Sequence, residues 1–231
     1  HELMNLIGRF DYVLDKHLSG TGLAIRRQLF KPGGYMASLL DTISAQAFRA
    51  GITTRTDQSK KWFQKKVREL GTVSREKVLK DDALDKVGRT LAGNMYMYFY
   101  DPKFKETLPY YDRFPLTIML EPAKGGFYGL NLHYLNYKPR ALFLDELMAT
   151  APATITDKSR IRARYKLLKG VRKFKEFKPC FKHYLTTHIE SRISRVPMAD
   201  WEIAIFLPTE QFKKKGKQAV WTESAKIARR A

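Results

Sequence analysis

Residues 95–155 hold six Lys/Arg and six Asp/Glu, and this neutral stretch is also the most aromatic part of the chain. Charge is crowded to either side of it. Residues 158–195 carry thirteen Lys/Arg against two acids, net +11 of the chain's +20. Residues 55–80 carry nine against three, and residues 212–230 seven against one. An apolar segment without net charge can collapse into a core, whereas unpaired lysine and arginine must stay in water. The distribution predicts a foldable centre with basic flanks that grip a polyanion.

At 231 residues the chain is long enough for one sizeable domain, or for one domain with a smaller lobe. With 44% hydrophobic and 13% aromatic residues it can bury a core, which excludes wholesale disorder. A pI near 10.0 implies an anionic partner, nucleic acid first and an anionic membrane surface second. The single cysteine, Cys180, rules out an internal disulfide. The longest apolar runs are about six residues, against the roughly 20 that a membrane-spanning helix needs, so no membrane partner is expected. No signal peptide is read, and because numbering starts at His1 nothing is argued from the N-terminus.

The expected fold class is α+β, a small antiparallel aromatic-rich sheet flanked by amphipathic basic helices. Three regions are expected: residues 1–90, helical and partly basic; 91–210, the α+β core including basic helices within 158–195; and 211–231, a basic tail. In the first region Met36, Leu39, Leu40, Ile43 and Ala47 recur at helical spacing. Thr56 reads as a helix start, with Trp62, Phe63, Val67 and Leu70 as the apolar stripe, and Gly71 to Ser74 as a stop and a new cap. In the core, 95–100 and 116–120 read as strands, 122–126 as a hairpin connection and 127–135 as the returning strand. A helix is expected around Pro139. Residues 159–174 give the clearest amphipathic helix, Pro179 opens another, and 201–207 reads as a last strand stopped by Pro208.

Catalytic signatures are scarce. There is no G-x-x-x-x-G-K loop, no H-E-x-x-H and no cysteine pair, so neither cofactor nor metal is expected. His183 and His188, five apart, would point to different faces of the helix opened by Pro179. Lysines around Cys180 could lower its thiol pKa, but no base stands nearby in sequence. Asp101, Asp112, Asp145 and Glu146 could form a nuclease-like cluster about a divalent ion, though capping and salt bridging account for them better. Tyr96, Tyr98, Tyr100, Tyr110, Tyr111, Tyr128, Tyr134 and Tyr137 could stack exposed bases, but filling a small core is the preferred reading.

The basic segments are the strongest functional signal. The candidate DNA-binding residues are Lys60, Lys61, Lys65 and Lys66; Arg160, Arg162, Arg164, Lys166, Lys169, Arg172 and Lys173; and Lys213, Lys214 and Lys215. Contacts from such residues go mainly to the phosphates of double-stranded DNA, so binding should tolerate any sequence and weaken steeply with salt.

Two central runs, Tyr100-Asp101-Pro102-Lys103 and Thr107 to Leu116, lead to a third, Gly125-Gly126-Phe127-Tyr128-Gly129-Leu130-Asn131-Leu132-His133-Tyr134-Leu135. With Trp201-Glu202-Ile203-Ala204-Ile205-Phe206-Leu207-Pro208 they resemble structural proteins of T4-like contractile-tailed bacteriophages, closest to the DNA end protector, or head-completion, family. The resemblance implies a non-enzymatic virion protein, assembled in the host cytoplasm, that touches the genome end and docks to portal, neck or tail hub proteins in a symmetric assembly. Two other readings stay open: a tail or baseplate hub protein docking to acidic subunits, and a metal-dependent nuclease.

Overall fold

The computed structural model describes residues 38–86, 92–149, 170 and 175–230. Helix α1 (Leu39–Arg49) starts where the Ser38 hydroxyl accepts the Asp41 N–H at 3.0 Å. Helix α2 (Asp57–Leu70) opens with a reciprocal capping box, Thr56 Oγ1 taking the Ser59 N–H and Ser59 Oγ taking the Thr56 N–H. It stops at Gly71, whose φ of 63° suits a residue without a side chain. Ser74 caps the short α3 (Arg75–Leu79). The start at Thr56, the stop at Gly71 and the new cap at Ser74 fall where the sequence placed them, whereas the sequence reading places no cap at Ser38.

Strands β1 (Asp85–Lys86), β2 (Met95–Met97), β3 (Tyr111–Asp112), β4 (Leu116–Ala123) and β5 (Gly126–Asn131) follow. Asn131 ends β5 by accepting the His133 N–H on its side chain, which turns the chain into a 3-10 turn at Leu132–Tyr134. Helix α4 (Tyr137–Ala149) carries Pro139 in its first turn, as expected. After a 3-10 turn at Lys175–Cys180 come β6 (Phe181–Leu185), β7 (Ser194–Val196), α5 (Trp201–Phe206), β8 (Phe212–Lys213) and α6 (Lys217–Arg230).

The fold is α+β. Six strands form one antiparallel sheet in the order β1-β7-β2-β4-β5-β6, and β3 pairs with β8 as a separate ribbon. Alternation sorts the sheet's side chains. Met95, Met97, Leu116, Ile118 and Leu130 join the main core, which the helices complete. Tyr96, Tyr98, Met119, Phe127 and Tyr184 form a second, aromatic cluster, with Ile189 and Ile193 packed against it. Tyr98 meets Tyr184 edge-on at 5.6 Å between ring centres, the favoured aromatic geometry. Tyr96, Tyr98 and Tyr100 are therefore core residues, in line with the preferred sequence reading, whereas Tyr128 is exposed.

Two expectations fail. The strand expected at 201–207 is a helix over Trp201–Phe206, with Leu207 as its C-cap. Every residue of α5 is buried, and α1, α2 and α4 all pack on it. A helix enclosed on all sides has no polar face, so its apolar run cannot be told from a buried strand by periodicity. The helix opened by Pro179 is instead a 3-10 turn ending in β6, which pairs along β5 from Gly126↔Leu185 to Leu130↔Phe181. Phe181, Tyr184 and Leu185 fit a helical spacing, but aromatic residues favour a pleated surface and β5 offers a free edge. The helix expected at 159–174 lies outside the described residues, as do residues 1–37.

Gly126 marks the tightest approach of β5 to β6. A Cβ there would lie 1.8 Å from the carbonyl oxygen of Tyr184, a backbone atom that cannot swing aside. Gly126→Ala is expected to part the two strands and destabilise the protein by about 1–3 kcal/mol in chemical denaturation. An unchanged unfolding midpoint would contradict this register.

Candidate nucleic-acid interface

The frame of the candidate site is a buried polar network around Asp112, in β3. Its Oδ1 accepts the backbone N–H groups of Phe114 and Gln211, both at 3.0 Å. Its Oδ2 accepts Asn131 Nδ2 at 3.1 Å and His133 Nδ1 at 2.7 Å. Burial would raise this carboxyl, but the His133 imidazole and the N–H donors outweigh burial and hold it below the usual range. On the far side of the imidazole, Thr209 Oγ1 stands 3.3 Å from Nε2. Asp112 thus clamps β3, the end of β5 and the approach to β8 together.

Above this frame lies a cleft of about 320 Å³ between loop 101–111 and β6. Its floor is the Tyr110–Tyr134 ring pair, 5.9 Å apart. The Lys182 ammonium sits 4.2 Å from the centre of the Tyr134 ring, a close cation–π contact. Burial pushes the pKa of Lys182 down. Among the described residues Lys182 has no carboxylate partner. The Lys215 ammonium lies 4.9 Å from the Tyr110 ring. At the rim Phe104 is 63% exposed, with Lys103 over its ring.

The β3–β8 ribbon brings the C-terminal lysine run to this cleft, pairing Tyr111 with Lys213. Lys213 is exposed and without an ion pair among the described residues. Lys214 adopts a φ of 68°, and its ammonium donates to the carbonyls of Lys105, Glu106 and Leu108 at 2.6–3.0 Å. That side chain braces the loop carrying Phe104. Lys215 is bonded to Glu223 at 2.5 Å.

The other candidates are spread elsewhere. On α2, Lys61 and Lys65 are exposed and unpaired among the described residues, whereas Lys60 is held by Asp145 at 2.5 Å and Lys66 by Glu69 at 2.8 Å. Arg160, Arg162, Arg164, Lys166, Lys169, Arg172 and Lys173 lie outside the described residues.

The suspected carboxylates do not meet. Asp101 binds Arg113 and Lys105, Asp112 binds His133, and Asp145 binds Lys60. Among the described residues no three His, Cys, Asp or Glu converge as metal ligands would. The thiol of Cys180 is buried, and burial pushes its pKa up to about 12, overriding the nearby Lys182 and Arg140 that would lower it. The expected lowering is therefore corrected. His183 and His188 lie in β6 and in the following 3-10 turn, not on a helix.

A family profile described as the phage T4 terminal DNA protecting protein matches residues 35–227, nearly the whole chain. The chain belongs to that family. No curated protein and no solved structure matches it. The family match spans every element that builds the cleft, from the loop at 101–111 through β6 to Lys215. The charge-based reading missed Lys182, Lys103 and Phe104 as candidates. No local signal marks Lys182, because in a strand it shares a face with the buried Tyr184 and the sequence Phe181-Lys182-His183-Tyr184 has no period-two pattern.

No helix among the described residues is long and apolar enough to cross a membrane.

Proposed function

We propose that this protein is a non-enzymatic phage virion protein that binds genomic double-stranded DNA near its end, completes the head in the portal or neck region, and shields that end from nucleases. The observation that carries the reading is the family match over residues 35–227. The surface chemistry agrees with it. A net charge of +20 and lysines without an ion pair among the described residues, such as Lys61, Lys65, Lys182 and Lys213, suit phosphate contacts made without regard to sequence. The aromatic sheet and the Asp112 network supply a rigid body from which those contacts are held, and a protein that caps an end needs rigidity more than base readout. Docking to other virion proteins in a symmetric assembly belongs to the same reading.

The test is binding of the purified protein to blunt linear DNA and to a closed circle of the same sequence at two salt concentrations. The linear form is expected to bind more tightly, without cleavage in Mg²⁺. Affinity should fall with a log–log slope of about 0.9 per phosphate contacted. Equal binding to both forms contradicts end recognition, and cleavage in Mg²⁺ contradicts the non-enzymatic reading. Absence of binding to either form would favour a tail-hub protein that docks to acidic subunits.

A further inference from the structure

We propose that the cleft between loop 101–111 and β6 receives one terminal nucleotide of the DNA, its base against aromatic rings and its phosphate against Lys182. This inference rests on the end-binding reading above and assigns it a site. Pockets for small ligands run from roughly 300 to 1,000 Å³. At about 320 Å³ the cleft is at the small end of that range, the size of a single nucleotide rather than of several.

Its chemistry is that of a nucleotide. Phe104 holds its ring 63% exposed, whereas Tyr110 and Tyr134 line the cleft as buried rings. Loop turns and the Lys214 ammonium, bonded to the carbonyls at 105, 106 and 108, brace the backbone of the loop that carries the Phe104 ring. An exposed ring on a braced loop is a stacking platform, and every base has a face to offer it. Lys182 brings a half-buried ammonium that lies over the Tyr134 ring and, among the described residues, has no carboxylate partner, which suits it to meet an anion. Lys103 adds a second cation at the mouth. The one negative group in this lining, Asp112, accepts four hydrogen bonds within the protein and does not pair with Lys182.

The size and the rings together select an end. Inside a duplex both faces of each base pair are covered by neighbours, and reaching a ring would require extruding the nucleotide. At a terminus one face is already bare and fraying is easy. The cleft therefore discriminates ends from interior by what is exposed, with no reading of sequence.

The experiment compares three proteins, wild type, Phe104→Ala and Lys182→Met, on a blunt duplex and on a dumbbell of the same sequence closed by hairpin loops. Phe104 is exposed, and Met preserves the aliphatic stem of Lys182; thermal unfolding of each variant verifies the fold, Lys182→Gln replaces Lys182→Met should the latter be unstable, and Lys182→Arg tests rescue by charge. Each of Phe104→Ala and Lys182→Met is expected to cut the preference for the open duplex about tenfold, the effect of one lost stacking contact or charge-assisted bond. Lys182→Arg should keep most of it. Binding to the dumbbell should stay at the wild-type level. Folded Phe104→Ala and Lys182→Met proteins that keep the full preference would overturn the cleft assignment while leaving end binding intact. A wild type without preference for the open duplex would overturn both.

Discussion

Asp112→Ala is expected to be the most damaging single change in the described fold, with a loss of about 3–5 kcal/mol. The carboxylate is fully enclosed and accepts four hydrogen bonds. Removing it leaves two backbone N–H groups, the Asn131 amide and the His133 imidazole without an acceptor in a region closed to water. Each orphaned donor costs roughly 1–3 kcal/mol, and small domains hold only about 5–15 kcal/mol in all. Asp112→Asn, which keeps the shape but replaces one acceptor with a donor, should also destabilise. The charge has a pH signature. The folded carboxyl lies below its ordinary value because the imidazole and N–H donors outweigh burial. Its contribution is therefore present above the unfolded-chain pKa of about 3.9 and is lost as pH falls through the lower folded value. Chemical denaturation across pH 2–7 should show wild-type stability dropping at the acid end. In Asp112→Asn that part of the drop should be missing. An acid limb of equal depth in both proteins would show that Asp112 is not the linked group.

Arg140→Met should come next, with a loss of about 3–5 kcal/mol. Arg140 is fully buried in α4, where a long apolar side chain would ordinarily be expected. Its guanidinium donates to three carbonyls: Leu135 at 2.7 Å, Ile205 at 3.0 Å and His133 at 3.3 Å. It also lies 3.8 Å from the buried Glu210 carboxylate and is flanked by the Tyr137 and Trp221 rings. The group thus pins α4 to the end of α5, to the turn after β5 and to α6. Methionine fills much of the volume but satisfies none of the carbonyls, and it removes the guanidinium charge beside Glu210. Lysine is not a rescue here, because a point charge cannot serve three carbonyls set around a planar fork. Unfolding midpoints of Arg140→Met and Arg140→Lys should both fall well below wild type. A lysine variant as stable as wild type would contradict the fork geometry. The Asp112 and Arg140 networks meet at His133, through its ring and its carbonyl respectively, so the double variant should lose less than the sum of the two single ones.

What could be read from the sequence follows from which signals are local. The capping box at Thr56, the stop at Gly71 and the hairpin between β4 and β5 depend on residues a few positions apart, and their spacing was sufficient to place them. The neutral aromatic centre correctly announced the core, because burial of Tyr96 and Tyr98 follows from strand alternation over a short run. The failures share one cause. Whether 201–207 coils or extends is decided by α1, α2 and α4 closing around it, and whether 181–185 pairs is decided by the open edge of β5. Neither partner is visible in the local pattern. The candidate site shows the same division. Charge runs identified Lys213–Lys215 as a unit, but only the β3–β8 ribbon reveals that Lys213 flanks the cleft, Lys214 braces its loop and Lys215 is tied to Glu223. The buried Asp112–His133 pair, separated by 21 positions, left no spacing signature at all.

The most direct test of the end-binding account is a digestion time course. Blunt linear DNA would be incubated with the protein and then with an exonuclease that starts from ends, alongside an endonuclease control. The account predicts that the protein, once the ends are saturated, delays exonuclease digestion while leaving internal endonuclease cleavage at its normal rate. Exonuclease digestion at the rate of bare DNA, under conditions where binding is shown to be complete, would contradict it.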